Sequence, residues 1–536
     1  MLASTLFLVG GVSGATPSLR PDVVRSGATP SLGPDSTTAG TTVTGSASGA
    51  GSHFVLDPTQ ALSAETPILD AASDGLIAQA DLPQTPILRE GINTSPSNLE
   101  TQIDNLSLQI LLKQVELERY SIHYNQEAVK QGRWKGWRYG FWNEVNSGLG
   151  LGGGITSVAN RGKYLHRPAG VRRNTQEGAN IVPMIGTIIG AGAAGGEFGI
   201  NLMHEFQAHK KGYGSTQAKQ KVLALKTEIN QMLDKRDSLV RVEGSDPSLS
   251  GRFEVDQVEG KVLRDMRDQK LQQFERFHLA KRRLYWFQQI QYLFDIAKNI
   301  TNAAGYEQAY LSLRKRNRVY NGNAGVCFVV SGGLTMVGPV ASRLFGKIMA
   351  EQQRRSLRGI TATTEAATLA QLKTDHAMLD QLTTSGKIAP EKIDVVVRRS
   401  AVYANSEKQF EEEVNKSEAA NARAKLVATQ NIGAAQYVGG SKIASGILFI
   451  IPGYDRRYNG KGYRADRATN DNLFASAVIG LPATTFSIID TLRINIQGEM
   501  TRQKQLKSGT HPSQLAQKRL KELDDLEASI KADIQP

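Results

Sequence analysis

The sequence GAGAAG at residues 190–195 is the strongest candidate for chemistry in this chain. It fits the GxGxxG pattern, in which a glycine-rich turn between a strand and a helix holds the pyrophosphate of a dinucleotide. The residues after Gly195 are polar and supply no second strand ending in an acid, and Pro183 interrupts the place of the first strand. The sequence therefore predicts no cofactor, and a nucleotide- or flavin-binding enzyme is kept only as a remote alternative.

The remaining reactive side chains form no recognisable site. His204 and His209 resemble a zinc-binding helix, but a spacing of five places the imidazoles on different faces, where a spacing of four is needed. The run Glu411 to Glu413 is typical of a solvated helix face. Cys327 is the one cysteine, lies in an apolar run, and reads as an inert buried thiol. We expect a non-enzymatic protein with no catalytic residue and no metal site.

The charge is distributed unevenly along the chain. The formal net charge is +13, yet residues 1–96 hold three Arg, no Lys and eight acidic residues. The rest of the chain is therefore strongly basic, which indicates either an anionic partner or solubility charge on helix surfaces. Anionic membrane lipid is the expected partner, and self-association or a protein partner through helices is a second possibility. Nucleic acid is unlikely to be the partner because no base-reading fold is recognisable.

The N-terminal region divides into two parts. Residues 1–14 contain a short apolar core and small residues that suit a cleavage site, but no basic residue precedes them, so they predict a possible signal peptide. Residues 15–96 contain a tandem repeat and many Pro, Ser and Thr, a composition that predicts a disordered low-complexity region. The expected location is the cell envelope or membrane after export, with the cytoplasm as the alternative.

Three apolar stretches rich in small residues organise the remainder of the chain. They run from Asn180 to Met203, from Asn323 to Met349 and from Asn470 to Arg493. Their first residues are at nearly even spacing, and each stretch follows a basic link. Each leading Asn is interpreted as a helix or turn cap, with a polar contact that fixes the register of a hairpin as the alternative.

These stretches predict three repeated units, at residues 97–242, 252–386 and 390–533. Each unit has the order helix, small-residue arm, basic link, small-residue arm, helix. The outer helices carry heptad-like apolar stripes, for example Leu99, Ile103, Leu106 and Ile110. The expected fold is mostly α, with long coiled-coil-like helices that carry Gly/Ala-rich helical hairpins behind a disordered N-terminal region.

Glycines at four-residue spacing suggest close packing within the hairpins. In a membrane such spacing lets helix backbones touch, and in water it permits close packing of soluble helices. A spanning helix needs about 20 mostly apolar residues, and residues 319–342 provide such a run without a charge. The sequence therefore leaves open a membrane-inserting hairpin and a soluble helical scaffold. The packing candidates are Gly186, Gly190, Gly192, Gly196, Gly332 and Gly480.

Aromatic and basic residues supply the candidates for membrane contact. Tryptophans with interleaved cations suit a membrane–water interface, although a packing corner of a helical core is an equally good interpretation. The basic links would lie at hairpin tips, held by an anionic leaflet. The candidates are Trp134, Trp137, Trp142, Arg172, Arg173, Trp286, Arg314, Lys315, Arg316, Arg456, Arg457 and Arg464. The favoured function is a non-enzymatic, membrane-associated helical protein whose hairpins insert into or dock on an anionic membrane.

Overall fold

A computed structural model describes residues 96–129, 132–245, 250–361, 363–385, 390–455 and 463–534. The expected signal peptide and almost all of the expected low-complexity region lie outside these residues. The described part of the chain contains α-helices, one short 3₁₀ helix and no strand, which confirms the mostly α fold. The helices are α1 Pro96–Val129, α2 Gly132–Gly162, α3 Arg173–Lys210, α4 Ser215–Glu243, α5 Ser250–Arg314, α6 Val319–Leu357, α7 Glu365–Thr384, α8 Pro390–Tyr454, α9 Tyr463–Lys507 and α10 Pro512–Asp533.

Two of the helices, α5 and α8, are each 65 residues long. Helix α5 contains no proline, and the prolines of α8 stand at its first position and near its end, so nothing interrupts the backbone hydrogen bonds between. The apolar runs 326–330 and 447–451 lie in α6 and α8, as the helical interpretation predicted. The order of helices along the chain follows the order predicted for the three units, and the repeat itself stays a prediction.

The three leading asparagines do not cap their helices. Asn180, Asn323 and Asn470 lie inside α3, α6 and α9, beyond the first turn of each helix. The prediction of helix caps is therefore wrong, because each helix begins near the end of its basic link, several residues before the asparagine. Asn470 instead exchanges hydrogen bonds with Arg161 of α2, and Asn323 accepts one from the Tyr454 hydroxyl of α8 at 2.6 Å.

One end of the molecule, called the head here, is a helical bundle with an apolar core. It consists of α1, α4, α7, α10, residues 250–284 of α5 and residues 390–426 of α8, which pack on one another. The apolar stripes predicted from the heptad spacing face its interior. The most completely buried members of the core are Ile103, Ile110, Leu117, Val222, Leu225, Ile229, Leu233, Val262, Phe274, Leu372 and Leu379.

A buried network of ion pairs joins the head helices at their centre. Glu259 of α5 accepts from Arg236 of α4 at 2.7 Å and from Arg399 of α8 at 2.7 Å. Arg399 also contacts Asp104 of α1 at 2.9 Å, and the Tyr403 hydroxyl donates to Glu259 at 2.7 Å. The network therefore connects helices from all three predicted units.

The network stabilises the charged form of its central carboxylate. Burial by itself would raise the pKa of Glu259, but the guanidinium groups of Arg399 and Arg236 outweigh burial and lower the pKa to about 2. Glu243 lies nearby without a hydrogen-bond partner for either carboxylate oxygen, and burial together with the charge of Asp256 raises its pKa to about 8. The ion pairs of Glu259 thus persist through the neutral range.

Breaking this network from one side tests its contribution to the fold. Arg399→Met leaves the buried Glu259 with one guanidinium partner in place of two. Loss of one partner from a buried ion pair costs about 3–5 kcal/mol of unfolding free energy. Urea unfolding followed by circular dichroism measures the cost. Arg398→Met, at the exposed neighbouring position, is the matched control, and equal stability of the two variants would contradict the role of the network.

Candidate functional site: a six-helix ring

The other end of the molecule is a closed ring of six helical segments. The ring consists of α2, α3, residues 285–314 of α5, α6, residues 427–454 of α8, and α9. Each segment packs on two neighbours in the order α2, α3, α5, α6, α8 and α9, and α9 packs on α2 to close the ring. Three basic links join the segments in pairs, so the ring is made of three helical hairpins.

The ring inverts the usual burial pattern of a helical bundle. The residues that α3 buries are small or polar, among them Gln176, Thr187 and Asn201. Many large apolar side chains of the ring instead point outward and are exposed in the described structure, although Phe328, Ile290 and Leu473 are buried between its helices. Those more than a third exposed on α3, α6 and α9 include Ile185, Ile188, Leu202, Met203, Phe206, Val326, Val330, Val337, Val340, Leu344, Ile348, Val478, Ile479, Phe486, Ile489, Leu492 and Ile496. An exposed apolar surface of this size marks a site of contact with another protein or with a membrane.

Four of the ring segments are long and apolar enough to cross a membrane. The helical segments concerned are Arg173–Glu243, Val319–Leu357, Val427–Tyr454 and Tyr463–Asp533. Their apolar parts belong to α3, α6, α8 and α9. The other two members of the ring are α2, which is rich in glycine, and α5, which carries the charged residues Asp295 and Lys298. The described structure is thus compatible with membrane association.

Glycines bring the backbones of α6 and α8 into direct contact. A Cβ atom built on Gly332 would lie 2.7 Å from the carbonyl oxygen of Gly439, and one on Gly439 would lie 2.7 Å from the carbonyl oxygen of Gly332. A Cβ atom built on Gly446 would likewise lie 2.7 Å from the carbonyl oxygen of Gly325. Because Gly325 and Gly332 are seven residues apart, as are Gly439 and Gly446, the contact repeats every two turns.

The six glycines proposed for hairpin packing lie in two kinds of environment. Gly186 and Gly190 face α2, with Asn146 beside both, and Gly332 faces α8. No atom lies within 4 Å of a Cβ built on Gly192, Gly196 or Gly480. The contacts of Gly439 and Gly446 do not follow from four-residue glycine spacing. The seven-residue spacing of glycines in both α6 and α8 is the signal that would have found them.

Polar side chains connect neighbouring helices inside the ring. The hydroxyl groups of Ser445 and Ser476 lie 2.6 Å apart between α8 and α9, and Ser441 donates to the carbonyl oxygen of Ile479 at 2.8 Å. The Tyr139 hydroxyl of α2 donates to the Asp295 carboxylate of α5 at 2.6 Å. These bonds pair polar groups of neighbouring helices within the ring.

The tryptophan candidates lie at the end of the ring next to the head. Trp137 and Trp142 are 46% and 40% exposed on α2, together with Phe141. Trp286 of α5 is half-buried and packs on Phe345 of α6. Trp134 belongs to α2, but its side chain is outside the described part of the structure. The exposed rings therefore form a cluster on α2 at one edge of the apolar surface.

The basic candidates lie at the opposite end, where the three links meet. Arg173 donates to the carbonyl oxygen of Arg314, Arg318 pairs with Asp466 at 2.6 Å, and the Tyr463 hydroxyl donates to the carbonyl oxygen of His166. Each link therefore contacts the next, which brings basic residues from three distant parts of the chain to one surface. The exposed candidates there are Arg172, Arg173, Arg314, Lys315, Arg316 and Arg464, whereas Arg456 and Arg457 lie outside the described residues.

The dinucleotide-like sequence has no strand or turn beside it. Residues 190–195 lie in the middle of α3, where their backbone amides belong to a continuous helix. A pyrophosphate site requires free amides at a helix N-terminus, so this geometry does not match the pattern. No protein family model and no curated protein matches this chain.

The contact between α6 and α8 can be tested with two adjacent glycines. Gly332→Ala places a Cβ against the carbonyl oxygen of Gly439 and should lower the unfolding free energy by about 1–3 kcal/mol through overpacking. Gly333→Ala meets no atom within 4 Å and should raise it by up to about 1 kcal/mol, because alanine favours the helix. Thermal unfolding of both variants measures the difference. Equal changes in the unfolding free energy of the two variants would show that the backbones of α6 and α8 do not touch.

Proposed function

We propose that this chain is a non-enzymatic membrane protein whose six-helix ring inserts into the bilayer. The head stays in water, and the basic links reach the far face of the membrane, where anionic lipid is the partner. The expected location is a cell envelope or another membrane. The single observation that carries the proposal is the outward apolar surface of the ring: α3 buries small and polar residues, while many large apolar side chains of α3, α6 and α9 are exposed.

The head supplies an internal comparison for that observation. Its helices bury Leu, Ile, Val and Phe and expose charged residues, as water requires. Helices α5 and α8 belong to the head over part of their length and continue into the ring. There the neighbouring helices expose large apolar residues. Two surroundings of different polarity along one molecule account for this change, because apolar burial stabilises a bundle in water and gives nothing against lipid.

The dimensions of the ring match a bilayer. From Trp142 to Arg161, helix α2 rises by roughly 28 Å, which is close to the thickness of a hydrocarbon core. The uncharged run 319–342 of α6 would span roughly 36 Å, enough for a tilted crossing. Exposed tryptophans at one edge and exposed Arg and Lys at the other are the residues that stabilise the two interfaces.

In this proposal the whole head lies on one side of the membrane. Each hairpin crosses, turns through a basic link and returns, so every head helix emerges on the same side. The links carry Arg and Lys with few acids, and such segments bind an anionic leaflet with about 1 kcal/mol per basic residue. A soluble scaffold would leave the outer face of the ring exposed to water and does not explain why its large apolar residues point outward.

Liposome flotation at low salt tests insertion directly. The full chain should float with vesicles of phosphatidylcholine and phosphatidylglycerol. The double variant Val330→Arg/Val337→Arg places two charges on one outer face of α6, and each Arg in a bilayer centre costs about 2.5–3.5 kcal/mol. It should reduce the floated fraction at least about tenfold.

The control is the double variant Met378→Arg/Val397→Arg, which introduces two charges on the exposed surface of the head. It should float like the unmodified chain. A protein that stays in the soluble fraction with both neutral and anionic vesicles would overturn the proposal and favour a soluble helical scaffold.

The basic end should determine the preference for anionic lipid. Lys315→Gln/Arg316→Gln removes two exposed charges from one link and should weaken binding to phosphatidylglycerol vesicles by about 2 kcal/mol, with little change for neutral vesicles. Lys518→Gln/Lys531→Gln removes two charges from the head and serves as the control. Co-sedimentation across a series of lipid compositions gives both affinities, and equal losses for the two pairs would argue against contact through the links.

A further inference from the structure

The last residue of α4, Glu243, is buried without a hydrogen-bond partner. Its side chain is 0% exposed, and neither carboxylate oxygen accepts a hydrogen bond from a described residue. Leu239 and Val240, in the same turn, belong to an apolar cluster against which Phe253 of α5 packs. An ionised carboxylate here would lose its hydration without a hydrogen bond in exchange. It would also be repelled by the negative end of the helix dipole.

Glu243 meets a second buried carboxyl group, that of Asp256 in α5. Asp256 is also 0% exposed, and the two carboxyl groups lie within hydrogen-bond reach of each other. Two ionised carboxylates do not hold such a contact, because each only accepts hydrogen bonds and their charges repel. A carboxyl group that keeps its proton can instead donate to the carboxylate beside it. The contact is therefore stable when one proton lies between the two groups.

The arginines of the head network decide which of the two groups keeps the proton. Arg252 donates to one carboxylate oxygen of Asp256 at 2.9 Å, and Arg236 donates to the other at 3.5 Å. Neither arginine forms a hydrogen bond with the carboxylate of Glu243. Asp256 is thus the ionised member of the pair, and Glu243 is the protonated member.

The charged groups around the pair contain a surplus of carboxylates. Those that face the pair or its direct partners come from α1, α4, α5 and α8 and are Glu100, Asp104, Arg236, Arg252, Glu259 and Arg399. With Glu243 and Asp256, five carboxyl groups meet three guanidinium groups. Burial and the charge of Asp256 raise the pKa of Glu243 to about 8, so its proton stays bound at neutral pH.

We propose that the pair of Glu243 and Asp256 is a proton-binding site that couples the stability of the head to pH. At neutral and acid pH the shared proton joins the end of α4 to α5. In alkaline solution the proton is lost to water, and two buried carboxylates are left in repulsion. The ligand is a proton because the guanidinium groups beside the pair would repel a metal cation. The site belongs to the head alone and does not depend on insertion of the ring.

Binding of this proton makes the head more stable in acid than in alkali. The pKa of Glu243 is about 8 in the folded chain, against an ordinary value of 4.5, so the folded chain holds a proton that the unfolded chain releases. Its stabilising effect is complete below pH 4.5 and is lost as the pH rises to about 8. One such proton changes the unfolding equilibrium constant about tenfold per pH unit in this window.

A second acid pair titrates in the same range and must be separated from the first. Asp265 of α5 is buried beside Asp375 of α7, and burial together with that neighbour raises the pKa of Asp265 to about 7. It adds a dependence of the same sign below pH 7. The contribution of Glu243 is therefore the difference between the unmodified chain and Glu243→Gln.

Infrared spectroscopy of the full chain tests the site, because a protonated carboxyl group absorbs apart from a carboxylate. At pH 7 the unmodified chain should show the protonated band, and Glu243→Gln should remove one carboxyl group from it. In urea unfolding between pH 5 and 8, the same variant should reduce the pH dependence by about tenfold in the equilibrium constant per pH unit. Glu254→Gln, which removes an exposed carboxylate from α5, is the matched control and should change neither result.

Absence of the protonated band from the unmodified chain at pH 7 would overturn the site without any variant. A band and a pH dependence that Glu243→Gln leaves intact would assign the proton to another group, such as Asp265, and would also overturn it. Asp256→Asn removes the neighbouring charge and should lower the pH at which Glu243 ionises. An unchanged midpoint in that variant would contradict the pairing of Glu243 with Asp256.

Discussion

The contact of backbone on backbone between α6 and α8 is the constraint on which the ring depends. Gly332 and Gly439 leave no room for a side chain between the helices, so a larger residue at either position would push α6 and α8 apart. Phe328 of α6 packs between Tyr306 of α5 and Phe449 of α8, whereas valines such as Val330 and Val337 point outward. Close backbone packing thus occurs beside an outward apolar surface on the same helix.

The head and the ring are stabilised by different interactions. In the head, buried apolar side chains surround the ion network of Glu259, Arg236 and Arg399. Removing one partner leaves a buried charge unpaired, which lowers the free energy of unfolding. In the ring, close backbone contacts and interhelical hydrogen bonds act beside a smaller buried apolar cluster around Phe328. Helices α5 and α8 run through both parts without a break.

Much of the architecture could be predicted from the sequence. The apolar stripes of α1 and α4 determine which faces of the head helices are buried, because heptad spacing follows directly from helix geometry. Runs such as 326–330 are helical, as expected from their place within longer small-residue stretches. The asparagine caps were predicted wrongly, since a side chain that suits a cap can equally bond to a neighbouring helix, and only the neighbour decides.

The sequence by itself determined the helical fold, the apolar stripes of the head and the clustering of small and basic residues. Only the tertiary structure decided that the six arms close into a ring, that the three links meet at one end, and that Gly332 contacts Gly439. These pairings join residues more than 100 positions apart, and no local pattern encodes them.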